Sequence, residues 1–506
     1  MRGKINIVLA CSFLLLAIAS VVPVHAQSIS FPTLQDRITL ATNWLLSYQA
    51  YNFTTVDDLG KTLVYLSDLN QVLPGQFPVD PIMLKLTALM LEHVTSNLTF
   101  SYIDPNGRFI SQDFGWWNAF ATEAIAISSV RMLLSPNVDL QSKTLYLNAT
   151  ETVEKMIMKW GSVFAQSDGS WMFAYPFLGQ DNSLDANAMM LTALTILASF
   201  EQSRGDPLHQ VSRFTTWSSD IAGWILARQE KQLLWLRGGF YNDGANQTMY
   251  TDSNARAVFA LITYANQIGT LSSNGSPSRL QVLTALQLWT NFIPYSNYDP
   301  SLSFGMRDQY DYGPYWYVTK CSSAPSSLEV GVNGTVYDQQ QGLCFFRYPK
   351  ETWRAAVVGR ALLGLYNVTT NADLVLRAIY YYGWMTGNNE LQTDLQQTAG
   401  QTQAMAVPFG ELIPPGRGGF WIGIKRSAWT PNATNTATTL MPSHAPLEST
   451  AESADFLIHL LDKWTGFSWT FEATSFTPTS YQQMIFDNLT HKVENAVITY
   501  LDSFNS

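Results

Sequence analysis

The stretch "GGFYNDGANQTMYTDSNARAVFALITY", residues 238–264, decides the fold. Two glycines and an aromatic come first, then a polar loop. A single acid, Asp252, then heads an almost wholly apolar segment. An apolar run of helix length without a polar stripe predicts a helix buried on every side. The same order recurs in "GRFISQDFGWWNA", in "GSWMFAYPFLGQDNSLDANA", and in "GGFW" followed much later by "LESTAESA". "CFFRYPKETWRA" is a weaker copy. The acids Asp113, Asp185, Asp252, Glu351 and Glu448 thus mark the starts of a series of inner helices, at a degenerate period of about 70–100 residues. In each copy the glycine permits a tight bend before the aromatic.

Helical periodicity dominates the rest of the chain. Helices are expected near 35–50, 80–94, 114–134, 147–160, 184–201, 215–230, 252–268, 278–293, 352–367, 372–386, 448–464 and 481–502, with a weaker segment near 57–69. Segments 184–201 and 252–268 are apolar nearly all round. In 278–293, by contrast, Gln281, Thr284, Gln287 and Asn291 recur at spacings of three and four and mark a solvated face. Buried helices alternating with half-exposed ones predict an all-α (α/α)6 toroid of six helical hairpins, carrying short β-hairpins. Two long stretches, 294–351 and 387–447, interrupt the pattern as capping loops. Residues 27–506 read as one domain.

The first 26 residues read as a secretory signal. Arg2 and Lys4 precede a long apolar run, and Val24 and Ala26 supply the small-residue cleavage site. After cleavage no stable membrane span is expected. N-x-S/T sequons at Asn52, Asn97, Asn148, Asn246, Asn274, Asn333, Asn367, Asn432 and Asn488 agree with export and glycosylation. Of the three cysteines, Cys11 lies in the signal, which leaves Cys321 and Cys344 to pair across a loop. The formal net charge is −10 and only 13% of residues are charged, so no basic patch offers itself to phosphate backbones, and nucleic acid is excluded as a partner. Aromatic residues make up 13% of the chain, a surplus that suits stacking on sugar rings. The oligomeric state is not written in the sequence.

The unit around "RGGFYNDGANQTMYTDSNARAVFALI" resembles the repeat of two toroid superfamilies. One is the terpenoid cyclase and protein prenyltransferase toroid. Its Asp-x-Asp-Asp cluster and its zinc ligands have no counterpart here. The other is the six-hairpin glycosidase superfamily, with its related lyases and sugar epimerases. Within it, "SQDFGWWNAFATEAI" is similar to the "DD-x-x-WW-A" segment of the α-1,6-mannanase family. That resemblance implies a catalytic role for Asp113, while Gln112 replaces the first acid of the pair.

Glycoside hydrolysis commonly needs two carboxyls across the scissile bond, about 5–5.5 Å apart for retention and about 6.5–9.5 Å for inversion. Loops that precede inner helices surround the mouth of a toroid. Asp113, Asp185, Asp252 and Glu448 are therefore candidate catalytic groups. Across a six-membered ring, hairpins three and six face each other, which sets Asp185 against Glu448 or against Glu452 one turn on. The same acids also suit plain helix capping, since Asp accepts bonds from free helix N–H groups. Candidate sugar-binding residues are Trp116, Trp117, Trp171, Tyr241, Trp421, Tyr310 and His444. No His spacing suits a metal, and no cofactor is expected. The sequence thus supports a secreted glycoside hydrolase acting on a carbohydrate substrate. Two alternatives stay open. A uronate lyase or epimerase would use Arg307, Tyr310 and Tyr312, and a non-catalytic binding toroid would need the acids only as caps.

Overall fold

A computed structural model describes residues 34–48 and, with breaks in the loops, 56–292, 317–381 and 423–473. Its helices are α1 (Leu34–Tyr48), α2 (Val56–Val72), α3 (Asp80–Glu92), α4 (Gly115–Leu134), α5 (Leu140–Phe164), α6 (Leu184–Ser203), α7 (Val211–Ala227), α8 (Thr251–Leu271), α9 (Arg279–Phe292), α10 (Thr352–Thr369) and α11 (Pro446–Ala473). Helices α2, α4, α6, α8, α10 and α11 each pack on the next, and α11 packs back on α2, so the six close a ring. Outside them α3, α5, α7 and α9 each return beside the inner helix that precedes them. Helix α1 packs on α11, so the first helix of the fold covers the last inner one. The fold is the all-α (α/α)6 toroid that the repeat predicts.

The inner helices follow from their composition. In α6 nearly every side chain from Leu184 to Glu201 is buried, as an apolar helix walled in by two ring neighbours and an outer helix must be. In α9, Gln281, Thr284 and Gln287 are exposed, which is the solvated face of an outer helix. The weak segment near 57–69 proves to be a full inner helix, α2. Lys61 and Asp68 of this helix face the ring's axis, which hid it from an apolar reading. Of the expected helix at 372–386, the described residues from Leu374 to Tyr381 are helical. The segments 1–26 and 481–502 lie outside the described residues.

Both long interruptions contribute strands that hang on the heads of inner helices. Strands β1 (Met249–Tyr250), β2 (Tyr317–Lys320), β3 (Thr335–Asp338) and β4 (Leu343–Phe346) form an antiparallel sheet in the order β1-β2-β4-β3. Met249 pairs with Val318 at the entry to α8. The Cys321–Cys344 disulfide is formed at this sheet. Strand β6 (Gly423–Arg426) joins β7 (Thr438–Leu440) to β5 (Lys350–Glu351), which leads directly into α10. The caps are thereby anchored at the N-terminal end of the ring.

What fixes three of the repeats is an asparagine. Asn187 Oδ1 accepts from the Trp171 amide at 2.7 Å, and its Nδ2 donates to the Trp171 and Ser183 carbonyls. Asn254 does the same for Phe240 and Tyr250, and Asn118 accepts from the Phe100 amide. The side chain thus ties the aromatic of the bend to the first turn of the inner helix. At the bend before Phe100, Leu98 holds the left-handed position at φ +58°, but at the other two bends a glycine is required for two reasons. Gly238 has φ +99°, and a Cβ there would lie 2.1 Å from the Leu288 carbonyl oxygen of α9. Gly169, at φ +89°, stands 2.6 Å from the Asp220 oxygen of α7 in the same sense. At two of the repeat acids the cap is not the acid's. The N-cap of α6 is Ser183, whose hydroxyl accepts from the Ala186 amide, while Asp185 is the second residue of the first turn. Glu351 stands at the N-cap of α10 without a capping bond.

Two stability predictions follow from these contacts. Asn254→Ala strands the Phe240 amide and two carbonyls in a buried bend, so it should cost about 2–4 kcal/mol in urea unfolding. The second concerns Glu154 of α5, which is fully buried against Glu201 of α6. Burial, and then the Glu201 charge, lift its carboxyl to about 8 from 4.5. The folded state therefore holds this proton more tightly than the unfolded chain, so stability is full below the ordinary value and falls as pH rises toward 8. Glu154→Gln should flatten that fall when unfolding is compared at pH 5 and pH 8. An unchanged slope would remove Glu154 as its source.

Candidate active site

Inner helices α2, α4, α6 and α8 are each followed by an outer helix that returns the chain, and ion pairs between matching turns set α10 and α11 in the same direction, so the inner-helix heads share one face. Successive turns of these helices stack charged side chains along the axis in three tiers. At the head, Arg354 of α10 donates to Asp252 of α8 at 2.9 Å and to Glu351 at 2.6 Å. In the middle, Arg256 of α8 reaches two helices. Its Nε lies 3.3 Å from Asp185 of α6 and its Nη2 lies 3.3 Å from Glu452 of α11. At the base, Arg131 of α4 and Arg360 of α10 both pair with Asp68 of α2, and Arg360 also pairs with Asp455 of α11. His459 of α11 stands 3.3 Å from Asp68. Along α11, the step from Glu452 to His459 spans about 10 Å at 1.5 Å per residue.

A central cavity of about 50 Å³ lies at the middle and lower tiers. Its charged lining is Lys61, Glu123, Arg256, Arg360, Glu452 and Asp455. Such a space takes a few waters or one small polar group, since pockets for larger ligands run to roughly 300–1,000 Å³. Anything the size of a six-membered ring would have to sit above it, at the helix heads. Trp353 stands half-buried there, within 5.2 Å of the Lys61 ammonium and 4.7 Å of the Arg354 guanidinium.

Equal burial gives the acids opposite behaviour, according to the cations beside them. Burial lifts Glu123 to about 7, against the pull of Arg256 and a bond from Thr192. Burial also opposes ionisation of Asp68, but Arg131, His459 and Arg360 outweigh it and hold this carboxylate well below the usual range. Asp455 moves the other way. Its burial, with the Asp68 charge, lifts it well above the usual range despite Arg360. The proton of this pair thus rests on Asp455 and the charge on Asp68. Among the described residues, Asp68, Asp455 and His459 also bring three ligand-type atoms within 4.8 Å of one another. Arg131 and Arg360 already supply the positive charge there, which makes the cluster a poor host for a cation.

A wider pocket of about 390 Å³ opens at the opposite face, between the ends of α2 and α4. Its one ionisable lining residue, Arg131, is already bonded to Asp68 and Ser67. Acid–base chemistry is concentrated at the axis.

The sequence-named residues divide as follows. Asp185 and Glu452, from the third and sixth inner helices, come together on one guanidinium, Arg256, 3.3 Å from each. Asp252 joins the head tier. Trp171 is a correction. It is 1% exposed and packs edge-on against Trp217 at 5.3 Å, because its bend folds down onto the ring, so it has no face for a sugar. Tyr241 is half-buried and donates to Glu230 at 2.5 Å, locking its own loop. Asp113, Tyr310, Trp421 and His444 lie outside the described residues, as do Arg307 and Tyr312. Glu448, Trp116 and Trp117 lie in described helices, but their side chains are not among those described. Glu123, Lys61, Arg256 and Arg360 were missed. Their signal was a charge inside an otherwise apolar or small-residue run, as in "FATEAIAIS" for Glu123.

No family model matches the chain, and no curated protein matches it in sequence. Among solved structures, it is similar to a sugar epimerase from a ruminal bacterium at 9% identity, with TM-score 0.48, covering 84% of this chain and 97% of that one. It is similar to a glycoside hydrolase of family 105 from C. acetobutylicum ATCC 824 at 13% identity, with TM-score 0.48, covering 85% and 99%. A family 76 glycoside hydrolase (mannosidase) from Bacteroides thetaiotaomicron VPI-5482 aligns at 9% identity, with TM-score 0.44, covering 85% and 99%. The toroid stands on its own closed circuit of inner helices.

The middle tier makes a direct prediction. Arg256→Met would leave Asp185 and Glu452 as buried acids without their shared cation, at a cost of about 3–5 kcal/mol. Chemical denaturation should read this loss. A change under about 1 kcal/mol would show that the two acids do not depend on Arg256.

Proposed function

We propose that the protein is a secreted carbohydrate-active enzyme, a glycoside hydrolase with its reacting groups at the middle tier of the ring. The observation that carries this reading is Glu123. Its carboxyl is lifted to about 7 by burial in a cavity that Glu452 also lines. A carboxyl still protonated near neutrality suits a general acid, and a second carboxylate across the axis suits the base or nucleophile. In this reading Glu123 gives its proton to the leaving glycosidic oxygen as the anomeric C–O bond breaks. Glu452 directs water or itself to the anomeric carbon, and Arg256 keeps Glu452 and Asp185 in place. The sugar ring lies at the helix heads, over Trp353.

Export rests on the leader-like first 26 residues and on the sequons, of which Asn97, Asn148 and Asn367 are exposed. The Cys321–Cys344 bond suits an oxidising compartment. No helix among the described residues is long and apolar enough to cross a membrane.

A panel of neutral and acidic glycans, screened with the wild type and Glu123→Gln, tests the reading. Hydrolysis should fall by about 10²–10⁴-fold in the variant. Because the acid must carry its proton, wild-type activity should decline as pH rises through about 7. Turnover untouched by Glu123→Gln would reassign the acid. No turnover on any glycan would leave a binding toroid in place of a hydrolase.

A further inference from the structure

We propose that the mouth of the ring selects a neutral sugar, held by hydroxyls that donate to Asp252 and Glu351, and rejects a uronate. This rests on the carbohydrate reading above and deepens it by naming the class of substrate. The argument begins with how the cations of the two upper tiers are spent. Arg354 is divided between Asp252 and Glu351, and Arg256 between Asp185 and Glu452. Lys61, beside the rings of Phe120 and Trp353, has a further partner as well.

Among the described residues, these tiers therefore set four carboxylates, Asp185, Asp252, Glu351 and Glu452, against the three cations Lys61, Arg256 and Arg354. Glu123 adds a fifth acid. Each arginine already serves two acids, so an incoming carboxylate would find no cation to itself. It would also add a like charge beside Asp252 and Glu351. A charge brought out of water without a partner is costly, and like charges set together raise that cost.

The hydrogen-bonding inventory points the same way. A carboxylate accepts and does not donate, so a rim of carboxylates calls for a ligand that brings donors. Asp252 gives its Oδ1 to Arg354 and Glu351 gives its Oε2, so Asp252 Oδ2 and Glu351 Oε1 take no part in that pairing. The two side chains are 14% and 15% exposed, which leaves them within reach of a ligand while one guanidinium fixes both. Trp353, whose face is offered to the sugar in the reading above, stands between Glu351 and Arg354 in the chain. A hexose seated there brings hydroxyls to this rim, and a hydroxyl donating to a carboxylate makes a charge-assisted bond. The matching hexuronate exchanges one hydroxyl donor for a charged acceptor. The acids that hold the hexose thus repel its oxidised counterpart.

The test uses the full chain at neutral pH in calorimetric titrations with three matched pairs. These are D-glucose with D-glucuronate, D-mannose with D-mannuronate, and D-galactose with D-galacturonate. In the pair that binds best, the hexose should bind at least about tenfold tighter, the scale of one hydrogen bond to a charged group. Asp252→Asn and Glu351→Gln should each weaken the hexose and strengthen the uronate, whereas a loss of structure would weaken both. A uronate bound as tightly as its hexose by the wild type overturns the proposal, and this comparison needs no variant to fold. No measurable binding in any pair overturns it too. Folded variants that keep the full preference remove Asp252 and Glu351 as its source. The outcome is separable from that of the hydrolase reading. Preferential hexose binding without turnover of any glycan keeps the selectivity and removes the hydrolysis. Turnover confined to uronate-containing glycans does the reverse.

Discussion

Six helices standing in a ring leave a hole along their common axis, and closing that hole is the constraint on which this molecule depends. Apolar side chains fill the space between inner and outer layers, but the axis is filled by arginines that reach across it. Arg256 ties α8 to α6 and α11, and Arg360 ties α10 to α2 and α11. Arg131 and Arg354 link ring neighbours. Burying so many charges adds little net stability, because desolvation offsets most of the attraction. What the pairs supply is register. A slip of one residue moves a helix by about 1.5 Å along its axis and turns it by about 100°, enough to break every bond its charged residues make.

This explains what could be read from the chain and what could not. The ring was legible because burial on all sides leaves an unmistakable mark on composition. Helix α6 is apolar all round, and α9 shows one polar stripe. The bend was legible through its glycine, since Gly238 has both a positive φ and a neighbouring carbonyl where a Cβ would stand. The element that holds the bend was on the page as well, two residues after the acid in "LDANA" and "TDSNA" and after the tryptophans in "GWWNA". It went unread because an acid at a helix head has an obvious local explanation, while an asparagine there has several. The copies at Glu351 and Glu448 lack that asparagine, and they are the repeats whose sequence match is weakest.

The site was harder to read, for a physical reason. Periodicity reveals which face of a helix meets water, but an inner helix has no such face. Glu123 and Arg256 sit among buried neighbours on all sides, and only closure of the ring separates an axial position from an interhelical one. Glu154 and Glu123 show the difficulty. Both are buried acids within apolar stretches, yet one faces Glu201 in the layer between inner and outer helices while the other lines the axis. The pairing of Asp185 with Glu452 was accessible beforehand because ring geometry alone sets hairpin three against hairpin six.

The same ring geometry separates rigid charges from responsive ones. At the base, Asp68 meets two arginines and a histidine, so its charge is held across the whole ordinary pH range. One tier higher, Glu123 meets the field of Arg256 at a greater remove, and desolvation prevails by enough to bring its proton affinity near neutrality. A carboxyl buried with too many cations stays ionised, and one buried with none stays protonated, so neither can exchange a proton in the course of a reaction at neutral pH. In this ring the intermediate balance falls on Glu123 of the middle tier, directly beneath the helix heads. That position, more than the number of acids around the mouth, is the reason to place the chemistry there.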